Sequence, residues 1–97
     1  MTTDYETLIE SFVAKRLSAG EFEKRYLKAF KSEPGGMETK VFEILEKLFS
    51  DVDSYSPDCQ EGKESAFEIS EVELRRQAAK ALNDLRRLRD DRSVSQR

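Results

Sequence analysis

Histidine is absent from this 97-residue chain. With it go the commonest general base, the commonest metal ligand and the usual activator of a serine or cysteine nucleophile. Cys59 is the single cysteine, so no intramolecular disulfide can form, and a reducing, cytoplasmic compartment is the simplest reading. It stands in a polar stretch, as an incidental thiol rather than a nucleophile. No apolar run approaches ~20 residues, and the opening MTTDYE lacks the charged-then-apolar layout of a signal peptide, so no membrane association is expected. Nor is there a glycine-rich loop to cradle phosphates. These absences weigh against an enzyme, a bound cofactor or metal, and a small-molecule substrate, and no residue is assigned a catalytic role.

Only two prolines and four glycines interrupt the chain, which leaves long stretches free to be helical. Hydrophobic residues make up 37% and charged residues 38%, so the core must be small. The apolar residues nevertheless recur periodically, which argues for one folded domain over about residues 1–92, with 93–97 as a frayed tail.

Thr3-Asp4-Tyr5-Glu6 has the S/T-x-x-E spacing of a capping box, followed by Tyr5, Leu8, Ile9, Phe12 and Val13 on one helical face. This predicts helix 1 to about Leu17. Ser18-Ala19-Gly20-Glu21 repeats the box and opens helix 2, with Phe22, Tyr26, Ala29 and Phe30 inward and Leu27 further round, until Pro34-Gly35-Gly36 stops it. Helix 3 is expected from about Met37 to Tyr55, on a stripe of Val41, Ile44, Leu45, Leu48, Phe49 and Val52 with Phe42 flanking. Ser56-Pro57 ends it. A polar loop over residues 58–69 is pinned by Phe67 and Ile69, and Ser70-Glu71-Val72-Glu73 caps helix 4. That helix buries Leu74, Ala78, Ala81, Leu82, Leu85 and Leu88 and frays from about Asp90. Short joints make neighbours antiparallel, so the expected fold is all-α, a compact antiparallel four-helix bundle. A three-helix form with helix 2 fused to helix 1 is the alternative.

Charge is segregated along this frame. Residues 51–73 carry Asp51, Asp53, Asp58, Glu61, Glu64, Glu68, Glu71 and Glu73 against Lys63 alone, a net of −7 in a chain whose total is −3. Asp51 and Asp53 fall in the last turn of helix 3, where the macrodipole is itself negative and stability alone favours Lys or Arg. A local rule broken without compensation marks a functional surface. Such a patch suits a strongly cationic partner, such as the nucleic-acid-binding surface of another protein. Tyr55 sits among the acids, and tyrosine is a favoured interface anchor.

Other chemistries fit less well. Paired carboxylates that cleave glycosides need a substrate cleft, for which a bundle this small has little room. DVDSYSPDCQEG begins like a calcium-binding loop, but Tyr55 replaces an oxygen ligand, Ser56 the turn glycine and Gly62 the closing glutamate. The arginines of helix 4 stand in i,i+4 register with acids, as Glu71–Arg75, Arg86–Asp90 and Arg87–Asp91, which reads as a solvated, self-paired face rather than a nucleic-acid site.

The segments LSAGEFEKRYL, EKLFSDVDSYSPD and EISEVELRRQAAKALNDL, in that order, resemble the colicin D immunity protein family, whose members also occur beside toxins of contact-dependent growth inhibition. The similarity covers about residues 5–88. It implies a small helical bundle that binds, one to one, the C-terminal ribonuclease domain of a bacterial toxin that cleaves transfer RNA. Acidic side chains would cover the toxin's active site. The matching positions are Asp51, Asp53 and Asp58, with Tyr55 and Pro57 shaping the turn and Glu61, Glu64 and Glu68 at the rim. The loop after Pro57 departs from the family pattern in being longer and more acidic. A general acidic adaptor for some other basic protein is the competing expectation.

Overall fold

The computed structural model describes residues 2–33, 35, 38–60, 62–63 and 68–95, and the side chains of those between 5 and 90. Four helices follow one another: α1 (Thr2–Val13), α2 (Ala19–Lys31), α3 (Thr39–Ser54) and α4 (Glu71–Ser95). Neighbouring helices run antiparallel. The Tyr5 hydroxyl, early in α1, donates to the carbonyl of Ala29 late in α2. Phe30, late in α2, stacks on Phe42, early in α3. Arg75, early in α4, lies over Phe12 at the end of α1, and Arg89 reaches back to Glu6. Each helix thus packs on two others, α1 on α2 and α4, α3 on α2 and α4. This is the expected four-helix bundle.

The joint between α1 and α2 rules out the fused alternative. Lys15 adopts a left-handed conformation, φ 65°. Its N–H donates to Phe12 O and that of Arg16 to Ser11 O, at 3.0 and 2.9 Å. That pair of bonds is a Schellman ending, which satisfies carbonyls otherwise left open at a helix C-terminus. Helix 1 therefore stops at Val13, four residues short of the predicted Leu17. The turn folds Leu17 back against the core and leaves Ser18 as the N-cap of α2, its hydroxyl accepting from Glu21 N–H at 3.2 Å. The predicted start of helix 3 at Met37 lies outside the described residues, and α3 begins at Thr39. At the far end α4 stays helical to Ser95, past Asp90.

The core is the predicted one with small changes. Tyr5, Ile9, Phe12, Phe22, Tyr26, Val41, Leu45, Leu48, Val52, Leu74, Ala78, Ala81, Leu82 and Leu85 are buried, each large side chain contributing about 1.5–3 kcal/mol. Ala19 joins them, whereas Ala29 is exposed. Phe12 and Phe22 stack at 4.3 Å between centroids, and the Tyr26 ring packs between Phe22 and Phe30. Tyr26 is fully buried. Its hydroxyl donates to Leu45 O at 2.7 Å, so the one polar atom of the ring is satisfied where it crosses to α3.

Candidate functional site

Everything the acidic stretch can do depends on how the chain leaves α3. Tyr55 closes the helix in extended conformation, because the proline two residues on disfavours further helix. Tyr55 then forms an isolated parallel bridge with Ile69. Ile69 N–H donates to Ser54 O at 3.0 Å and Ser56 N–H to Ile69 O at 3.1 Å. The two ends of the loop are thereby stapled together. Ile69 packs against the core, as expected, while Phe67 lies outside the described residues. Between the ends, Cys59 N–H donates to Ser56 O around the Pro57-Asp58 turn, and Lys63 N–H donates to Gln60 O around a second. Gly62 occupies the third position of that second turn with φ 87°, a conformation that favours glycine. Ser70 is buried and its hydroxyl accepts from Glu73 N–H at 3.1 Å, starting α4.

The bridge brings three carboxylates to one end of the bundle. Asp53, Asp58 and Glu68 each lie within three residues of it in sequence, and all three are exposed. None makes an ion pair among the described residues. Pro57 is exposed beside them. Asp51 is placed differently. Two residues span about 200° of helix rotation, so Asp51 and Asp53 fall on opposite flanks of α3. Asp51 faces the groove between α3 and α4, with Lys47 Nζ 3.4 Å away and Gln77 and Lys80 across from it. Burial pushes its carboxyl above the ordinary aspartate range, Lys47 opposes the shift and Glu73 adds to it. Glu71 and Glu73 pair with Arg75 and Arg76. Glu61 and Glu64 lie outside the described residues.

Tyr55 is half-buried against the core. Burial raises its phenol, and the nearby carboxylates of Glu71 and Glu23 raise it further, with Arg75 opposing. The proximity of Tyr55 to Glu23 adds α2 to this end of the molecule, a contribution that sequence reasoning missed. The signal was available in the topology, since antiparallel packing puts the start of α2 beside the end of α3.

The basic face of α4 is largely occupied by structural contacts. Arg75 donates to Glu71 and to the Phe12 carbonyl. Arg76 pairs with Glu73, and Arg89 with Glu6 at 3.2 Å. Arg86 bonds Glu10 of α1 at 2.7 Å rather than the predicted Asp90, since the antiparallel neighbour offers a carboxylate directly across the seam. Side chains of Arg87's predicted partner, Asp91, lie outside the described residues. Among the described residues no cluster of three ligating side chains is available for a metal, and no helix is long and apolar enough to cross a membrane.

Compared with known proteins, residues 1–85 match the family described as bacterial self-protective colicin-like immunity. No curated protein and no solved structure gives a significant match to the chain.

Proposed function

Because the chain belongs to the bacterial self-protective colicin-like immunity family, we propose that it neutralises its cognate toxin by seating the acidic end of the bundle in a ribonuclease active site. A pocket built for RNA phosphates is cationic. Carboxylates held on a stiff frame occupy it as phosphate surrogates, and they need do no chemistry to block it. The observation that carries this reading is that Asp53, Asp58 and Glu68 are exposed and make no ion pair among the described residues around a hydrogen-bonded bridge, while Glu71 and Glu73 are engaged with arginines. Tyr55 and Pro57 supply packing at the centre, with Glu61 and Glu64 at the rim on sequence grounds. Asp51, turned to the other flank, adds to the field more than to contact. The partner is a toxin's C-terminal ribonuclease domain, colicin D-like or from a contact-dependent inhibition system, bound one to one in the cytoplasm.

The test is protection. Cells expressing the cognate toxin ribonuclease domain should survive with the native chain and die with an Asp53→Lys, Asp58→Lys, Glu68→Lys variant. Full protection by that triple variant overturns the assignment of the acidic end.

A further inference from the structure

Three carboxylates and a turn are a small contact. A stable protein–protein interface takes roughly 800 Å² from each partner, with an apolar, often aromatic centre inside a polar rim. Among the described residues the acidic end offers Tyr55, half-buried, and the small ring of Pro57 as such a centre. The seam between α2 and α3 offers more. Phe42, Glu46, Phe49 and Asp53 fall at i, i+4, i+7 and i+11, one face of α3. Phe42 and Phe49 both stack on Phe30 of α2, with ring centroids 5.7 and 4.9 Å apart, which fixes that face as the α2 side. Phe30 and Phe49 are half-buried, and Phe42 is 37% exposed, one of two large hydrophobics that face water among the described residues. Glu46 is exposed between the rings and makes no ion pair among the described residues. The stripe ends at Asp53, already part of the acidic end.

We infer that the aromatic seam of Phe30, Phe42 and Phe49, edged by Glu46, is a second part of the toxin-binding surface, continuous with the acidic end through Asp53. This rests on the proposed function. Its occupant is an apolar shoulder of the ribonuclease domain flanked by basic side chains. The geometry favours that chemistry for two reasons. Alternation of ring and carboxylate down one stripe matches a partner that is both apolar and cationic, whose Lys or Arg stems lie across aromatic faces while their heads meet Glu46 and Asp53. Stacked rings also lose little side-chain entropy on binding, which suits them to act as anchors.

The experiment is a titration of the catalytically inactivated cognate toxin domain into the native chain and four variants, with thermal unfolding of each recorded. Phe42→Ala and Glu46→Lys are expected to weaken binding tenfold or more at unchanged unfolding temperature. Asp84→Lys, the same charge change beside the α3–α4 groove, is expected to bind as the native chain does. Glu46 is exposed, so its variant reports on the surface even if Phe42→Ala lowers stability. Native affinity in both Phe42→Ala and Glu46→Lys overturns the inference, as does equal weakening by Glu46→Lys and Asp84→Lys, which reduces the effect to net charge. The Asp53, Asp58, Glu68 triple variant separates the two ideas. If it alone loses binding, the acidic end stands and the seam falls. If the native chain fails to bind, both fall.

Discussion

At the scale of single residues, Asp51 shows how position overrides charge. In sequence it belongs with Asp53, yet the helix sends it to the opposite flank, where burial raises its carboxyl and Lys47 only partly compensates. A group whose folded pKa lies above its unfolded value binds more protons in the native state, so stability falls as pH rises through that window. Ionised Asp51 is therefore a net burden at neutral pH, relieved as pH falls through its raised pKa. Asp51→Asn is expected to equal or exceed the native chain in urea denaturation at pH 7. The difference should vanish below the ordinary aspartate range, where the native carboxyl is neutral in both states. A variant less stable at pH 7 than at pH 3, relative to native, contradicts this. Asp53 is exposed and makes no ion pair among the described residues, and the rotation of α3 is what sets the two apart.

At the scale of elements, the helix ends determine what the bundle presents. Two of the three predicted capping boxes are seen as side-chain caps, at Ser18 and Ser70, and the side chain of Thr3, on which the first rests, lies outside the described residues. The end of α1 carried no such signal, because Lys15 occupies a left-handed position where glycine is usual. Arg75 secures the same joint from α4. It donates to the Phe12 carbonyl at the α1 terminus, stacks over the Phe12 ring at 4.4 Å and pairs with Glu71. Arg75→Met retains the stem but loses all three contacts, and is expected to cost about 1–3 kcal/mol of stability in urea denaturation. No loss of stability would show Arg75 to be a free surface cation after all, and reopen α4 as a nucleic-acid face.

For the whole molecule, the segregation of charge governs encounter more than folding. On the proposed function, a stretch with net −7 in a chain of net −3 would steer a cationic partner toward the acidic end. The association rate with the toxin domain, followed by stopped flow, is expected to fall on the order of tenfold or more from low to physiological salt, with dissociation changing less. A salt-independent association rate would leave the acidic end without its steering role. What the sequence determined alone was the helical period, two caps, nearly all of the buried stripe and the acidic segment, because each is written in residues a few positions apart. Tertiary structure decided the rest. It stopped α1 at Val13 to let the chain turn back, stapled Tyr55 to Ile69 so that Asp58 and Glu68 share one end, turned Asp51 away from Asp53, brought the charge of Glu23 within reach of Tyr55 and paired Arg86 with Glu10. Those outcomes depend on which helix lies across the seam, and no local pattern of side chains contains that information.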